Sequence, residues 1–331
     1  MQPLVSALAG GVILGALWMQ GSSPRSGDVP SWATRDLRAG IIGTDTSHAP
    51  AFTALFQSHP ELRIKVVAAY KGGSPDIPLS ANRVEGFART LHDDYGVEIV
   101  STIDALLERV DVVLVGSIDG RAHLAQVTPA LKAGKRTFVD KPLAANVEDA
   151  RRIQQLSATS GTPLFSASSY RFHPDIPRLR DHPGVGRVAK VQASSPLNLL
   201  PHHPDLYYYG VHGVEALYAV LGTGCISVSR AVTPDADITT GKWRDGRTGI
   251  YRGELHGSEK VPMLRVFGEN ATADASSSEG YDGLERAMAE FFQTGRSPVD
   301  PAETLEILEF MSAAQLSKDR GGSDVLLSEV R

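Results

Sequence analysis

Between Leu37 and Ser168 the chain alternates apolar runs with stretches of helical periodicity. The runs LRAGIIG, RIKVVAAY, DVVLVGS, KRTFVD and TPLFSAS are dominated by Val, Ile, Leu and Ala, the pattern of strands covered from two sides. Between them, AFTALFQ, ANRVEGFARTLHDDYG, IDALLERV, RAHLAQVTPALKAG and NVEDARRIQQLSATSG predict helices. Strands separated by helices in this order give a parallel sheet, so the first expectation is a doubly wound α/β domain. From Gly184 onward the pattern shifts to short stretches, RVAKVQASSP, CISVSRAV, TGIYRGELHG and PMLRVFGE, joined by Gly, Pro and Asp turns. These predict an open, mainly antiparallel sheet in an α+β domain, interrupted by a helix at GVHGVEALYAVLG. A last helix opens with Pro301 and stops at Gly321-Gly322.

The length of 331 residues exceeds what one hydrophobic core usually supports, which agrees with two domains. We expect a targeting segment and linker over 1–34, a Rossmann dinucleotide-binding-like domain over 35–165, and an α+β substrate and oligomerisation domain over 166–331. The stretch from Leu4 to Met19, LVSALAGGVILGALWM, carries no charge and runs into a Pro/Gly/Ser-rich linker. It is short beside the ~20 apolar residues of a spanning helix, so it reads as a signal-like or anchor-like segment. Export to the periplasm or to a membrane anchor is the expected location; a misassigned start would leave the chain cytoplasmic. The net charge of -5, with Lys and Arg interspersed among acids, offers no footprint for nucleic acid. Cys225, the single cysteine, excludes an internal disulfide and reads as a small buried hydrophobe.

Three local patterns carry the candidate chemistry. AGIIGTDTSH spans the first strand-to-helix turn, DVVLVGSIDGRAHLAQVTPALKAGKRTFVDKPLA ends in Asp140-Lys141-Pro142, and GVHGVE sets His212 three residues before Glu215. Together with the C-terminal AAQLSKDRG, they resemble the glucose-fructose oxidoreductase and inositol dehydrogenase (Gfo/Idh/MocA) family from about Leu37 to the C-terminus. The resemblance implies a nicotinamide-dependent oxidoreductase acting on a sugar, cyclitol or related polyol. The alternatives are a lyase or epimerase acting on keto-sugars, and a carbohydrate-binding protein without the dinucleotide.

The turn Gly43, Thr44, Asp45, Thr46, Ser47 lies where backbone N–H groups and the positive end of a helix suit a pyrophosphate. Aligned with the glycine pattern of such loops, Asp45 takes the second glycine position and His48 the third. At an effective dielectric near 20, a carboxylate about 5 Å from a phosphate charge costs roughly 3 kcal/mol, or about a hundredfold in affinity. Asp45 is therefore expected to cap the helix, bind a cation, or mark a site that has lost the usual dinucleotide. The second strand ends AAYKGGSPD without an acid for a ribose hydroxyl, and Lys71 with Ser74 suits a 2′-phosphate, which favours NADP over NAD. Lys71 reads equally as a solvated loop lysine.

By resemblance, Ser117, His123, Asp140 and Arg171 lie along the cofactor. Lys141 hydrogen-bonds the hydroxyl being oxidised, and Pro142 follows a cis peptide. His212 exchanges the hydroxyl proton. Tyr208 stands where the family usually has an acid, which leaves Glu215 to orient the histidine. The segment LLPHHPDLYYYG offers His202, His203 and Asp205 as a metal set or as a loop over the substrate; the expectation is no metal. A sugar-like substrate and a homo-oligomer formed through the C-terminal sheet complete the reading.

Overall fold

The computed structural model describes residues 28–181, 184–234, 236–255, 262–275 and 280–331. The apolar segment Leu4–Met19 lies outside the described residues. No helix among the described residues is long and apolar enough to cross a membrane.

The first half begins with β1 (Leu37–Ile42), α1 (His48–Ser58), β2 (Ile64–Tyr70), α2 (Pro78–Ala81), α3 (Val84–Tyr95) and β3 (Glu98–Val100). It continues with α4 (Ile103–Leu107), β4 (Val112–Val115), α5 (His123–Lys132), β5 (Arg136–Asp140), α6 (Val147–Ser160) and β6 (Leu164–Ala167). The six strands form one parallel sheet in the order β3-β2-β1-β4-β5-β6. Strand alternation explains the apolar runs: Val112 and Leu114 join the core on one face, Val113 and Val115 the core on the other. The order reverses beside β1, and in such sheets ligands bind at the carboxyl edge of that switch point.

The expected helix over ANRVEGFARTLHDDYG is broken. Ser80, at the end of α2, donates to the Asp45 carboxylate at 2.5 Å and accepts from the Ser74 N–H at 2.7 Å, and this anchors the chain before α3 starts at Val84.

The second half contains α7 (Asp175–Asp181), β7 (Val188–Pro196), α8 (Gly210–Leu221), β8 (Cys225–Val232), β9 (Asp237–Trp243) and β10 (Thr248–Glu254). After these come β11 (Leu264–Gly268), β12 (Thr272–Asp274), α9 (Asp282–Thr294), α10 (Pro301–Asp319) and β13 (Val325–Leu326). Its seven strands run β12-β11-β7-β10-β9-β8-β13, antiparallel except for the β7–β10 pair. The fold is thus a Rossmann sheet followed by a mixed, mostly antiparallel sheet domain. All of α8 is buried, as a helix apolar on every side requires. Gly213 lets it approach the sheet, since a Cβ there would stand 2.7 Å from the Tyr251 ring.

Strand β9 and helix α9 are additions to the expected elements. In β9, DITTGKW, the buried positions include Asp237, Thr239 and Gly241, so burial on one face is not written in apolar residues. Helix α9 sends Leu284, Met288, Phe291 and Phe292 into the core of the first sheet, beside Phe52, Phe138 and Phe165. Its first turn holds Glu285, whose carboxylate meets the His59 ring at 2.8 Å.

Burial pushes the Glu285 carboxyl up to about 7 against the opposing pull of His59. A folded pKa above the unfolded value of 4.5 contributes stability at low pH that is lost as pH rises through about 7. Glu285→Gln should therefore gain on the wild type by on the order of 1–2 kcal/mol between pH 5 and 8 in urea melts. A difference independent of pH would show that the side chain is equally ionised folded and unfolded.

Candidate functional site

A cavity of about 920 Å³ opens at the carboxyl edge of the first sheet, between it and the second domain. Its walls bring together Thr46, Ser47 and His48 from the first turn, Lys141 from the end of β5, and Tyr208, Tyr209 and His212 from the approach to α8. Residues far apart in sequence thus meet because β1, β5 and α8 all end at this cleft.

The first turn follows from Gly43, whose φ of +95° suits glycine, and whose missing side chain leaves room for the Ser117 backbone. Its N–H and that of Thr44 donate to Tyr70 and Lys71 carbonyls at 2.9 and 2.8 Å, so these two groups are closed to a ligand. Ser47 gives helix α1 no side-chain cap, but the Thr46 hydroxyl accepts from the His48 N–H and the Thr46 carbonyl from the Ala49 N–H, both at 3.3 Å; Thr46 and Ser47 line the cavity at the positive end of the helix. Asp45 is not the cap. It points inward, fully buried, accepting from Ser80 and from the Ile118 N–H at 3.2 Å. Burial raises its pKa, opposed by those two hydrogen bonds.

At the other wall the Lys141-Pro142 peptide is cis. The Lys141 ammonium sits 5.6 and 5.7 Å from the ring centres of Tyr208 and Tyr209. Asp140 accepts from the Lys141 N–H at 2.9 Å and holds the Nδ1 of His48 at 2.7 Å. Burial would raise the Asp140 pKa, but His48 and Lys141 together hold it well below the usual carboxylate range. The His48–Asp140 pair is a site feature that the sequence reading passed over. Its signal was present in part: His48 stands at a glycine position of such loops, and the carboxylate that meets it, Asp140, lies in the Asp140-Lys141-Pro142 motif.

His212 is buried, and its Nδ1 bonds the Ser168 hydroxyl at 2.7 Å, which leaves Nε2 for a ligand. Burial, reinforced by the Lys141 charge, lowers its pKa well below 6.5. The orienting partner is therefore Ser168, and the expectation for Glu215 is corrected. Glu215 instead pairs with Arg171 at 2.6 Å, and Arg171 also meets Glu303 at 2.5 Å, although not in hydrogen-bond alignment. Arg171 thus joins the segment after β6 to α8 and α10 and is not among the residues lining the cavity. Tyr208 is on the cavity wall, its hydroxyl pKa pushed up to about 12 by burial and the neighbouring Tyr209.

The remaining expected cofactor residues are engaged in the scaffold. His123 bonds the Ser117 and Leu143 carbonyls, and the Ser117 hydroxyl accepts from Gln126. Lys71 pairs with Glu85 at 2.9 Å, and Ser74 donates to Asp119 at 2.5 Å. His202, His203 and Asp205 diverge: His202 approaches Asp76, His203 bonds Gly120, and Asp205 meets Arg230 and Lys318. Among the described residues no group of three His, Cys, Asp or Glu side chains is arranged to hold a metal.

Residues 37–168 match the model of an oxidoreductase family with an NAD-binding Rossmann fold, Gfo/Idh/MocA. The match covers the first-sheet part of the chain, which is similar to this family. Among curated relatives, it is 31% identical to dTDP-3,4-didehydro-2,6-dideoxy-alpha-D-glucose 3-reductase of Streptomyces violaceoruber, over 37% of this chain and 36% of that protein. It is 32% identical to inositol 2-dehydrogenase of Cereibacter sphaeroides over 41% of this chain and 37% of that protein. The chain thus spans little more than a third of the length of these relatives. The two-sheet fold aligns with apo scyllo-inositol dehydrogenase from Lactobacillus casei, with a TM-score of 0.71 and 15% identity, covering 89% of this chain and 99% of that one.

The matched family model implies a dinucleotide, and the two ends of the crevice fit it differently. Thr46 and Ser47 at the positive end of α1 and the open cavity beside Lys141 suit the pyrophosphate and nicotinamide end. Over the switch point, where the adenosine end would lie, the Ser74–Asp119 bond and the Arg121 bridge to Asp76 at 3.0 Å join the facing loops. Ile77 packs with Ile118 and Leu200 beneath them.

Proposed function

We propose that the protein is an NAD(P)-dependent oxidoreductase acting on a hydroxyl group of a sugar, cyclitol or related polyol. The observation that carries this reading is the convergence of Lys141 and His212 on one cavity beside the start of α1. His212, neutral near pH 7, takes the substrate hydroxyl proton on Nε2 while Ser168 fixes the ring. The Lys141 ammonium donates to the same oxygen as negative charge develops on it. A nicotinamide held beside them would supply the acceptor for the hydride that leaves the carbon bearing this oxygen. Thr46 and Ser47 would hold its pyrophosphate, and the Ser74–Asp119 and Arg121–Asp76 contacts would part to admit the adenosine. NADP has lost the cation expected beside its 2′-phosphate, because Lys71 is paired with Glu85, so NAD is the better match.

The test is reduction of NAD or NADP by a panel of cyclitols and sugars, followed by the absorbance of the reduced nicotinamide. Reduction that depends on both polyol and enzyme, and that is lost in His212→Asn, is the expected result. The joined loops over the switch point favour one second reading, a non-redox lyase or epimerase on keto-sugars. Turnover of a keto-sugar without any nucleotide would select it. Export through Leu4–Met19 and assembly through the second sheet remain parts of the proposal, supported by the uncharged N-terminal run and by the outward-facing Ile226, Val232 and Leu326 near the β8–β13 edge.

A further inference from the structure

Arg83 stands on the cavity wall at the junction of α2 and α3, where the expected continuous helix is broken. Its backbone is fixed from both sides: its N–H donates to the Ser80 carbonyl at 3.0 Å, and its own carbonyl accepts from Phe87 at 3.0 Å. Ser80 is in turn pinned to buried Asp45. Thus the residue that replaced a phosphate-loop glycine anchors the segment that presents this guanidinium. Among the described residues, Arg83 makes no ion pair or side-chain hydrogen bond, whereas most arginines of the chain are paired, among them Arg38, Arg63, Arg109 and Arg121.

The charge of the wall points the same way. Lys141 is the second cation; its ammonium lies by the Tyr208 and Tyr209 rings and also acts on Asp140 and His212. The Asp140 carboxylate lies behind His48 and is buried, and Asp282 is the acid on the wall itself. Thr46 and Ser47 add the positive end of α1. Among the described residues the site therefore sets Arg83 and Lys141 against Asp282 and the buried Asp140, and with Asp140 held by His48 and Lys141, Arg83 is the cation left for a ligand, in a pocket that also carries hydroxyls, imidazoles and rings suited to a polyol.

Resting on the reading of this cavity as a polyol site, we infer that its substrate is a sugar acid, a polyhydroxy compound whose carboxylate is bound by Arg83 while Lys141 and His212 address a hydroxyl. A guanidinium presents two parallel N–H groups that match the two oxygens of a carboxylate. A phosphate would call for a cradle of several donors, whereas Arg83 is flanked on the wall by Ile118 and Tyr208. A charged hydrogen-bonded pair of this kind contributes roughly ten- to a hundredfold in affinity over the neutral analogue.

The test is calorimetric titration of the full-length protein, its Arg83→Gln variant and its Arg83→Lys variant. The probes are hexonates, the matching neutral hexitols, a hexose phosphate and NAD. Wild type should bind a hexonate at least about tenfold more tightly than its hexitol. This preference should fall to within about twofold in Arg83→Gln and recover in part in Arg83→Lys. Hexitol binding as tight as hexonate binding, or a preference unchanged in Arg83→Gln, overturns the inference and leaves the polyol reading in place. A stronger preference for the hexose phosphate overturns it in favour of a phosphorylated substrate. Loss of NAD affinity in Arg83→Gln with the acid preference intact overturns it by assigning the residue to the nucleotide. If no acid and no polyol binds to wild type, the polyol reading falls, and this inference with it.

Discussion

Lys141→Met should lower polyol oxidation by on the order of 10²–10⁴-fold in kcat, with a much smaller change in KM. Methionine keeps the length and apolar stem of the lysine and can still lie against Tyr208 and Tyr209, so the cavity wall is preserved. What is removed is the donor aimed at the substrate oxygen, an interaction that strengthens as that oxygen gains charge. The pH profile of the parent enzyme provides a second check. A base must be unprotonated to act, and His212 is held well below 6.5 by burial and by Lys141. Oxidation should therefore persist as pH falls through 6.5 and decline only in more acid solution. In Lys141→Met the repelling charge is gone, so the acid limb should move to higher pH. A limb that stays in place would separate the histidine from the lysine, and unchanged kcat in the variant would remove Lys141 from the chemistry.

Arg171→Met should destabilise the fold by about 3–5 kcal/mol, the usual cost of removing one partner from a buried ionic group. Two carboxylates, Glu215 of α8 and Glu303 of α10, would be left facing each other in a buried space. The Glu215 carboxyl is already raised in pKa by burial and restrained by Arg171, so the variant should become relatively more stable in mild acid, where Glu215 takes up its proton more readily. Urea melts at pH 5 and pH 8 would measure this. The double variant Arg171→Met with Glu215→Gln should recover part of the loss. A single variant that melts like wild type would show that water reaches this cluster.

Much of the fold could be read in the sequence because it is locally written. Apolar runs marked the strands of the first sheet, Gly43 marked the first turn, and Asp140-Lys141-Pro142 marked the exit of β5. The helix carrying His212 was visible because nearly all its residues are apolar. What escaped was the identity of partners, which depends on packing across long separations. His48 and Asp140 are 92 positions apart, and Ser168 and His212 are 44 apart. Arg171 and Glu215 are likewise 44 apart and meet only once α8 packs on the segment after β6. Asp45 was legible as an anomaly, and its direction was not, because the Ser80 that donates to it lies 35 positions away on α2.

Helix α9 is made late in synthesis, after most of the second sheet, yet its Phe291 and Phe292 complete the core beneath β5 and β6. A nascent chain that has emerged only through β6 therefore holds Phe138 and Phe165 without the ring that later closes over them. Each of these aromatic faces is worth roughly 1.5–3 kcal/mol when covered. The first sheet thus reaches full stability only when the chain has left it, built the second sheet and returned. The wall that carries Lys141 thus leans on a helix that follows, in the chain, the one that carries His212.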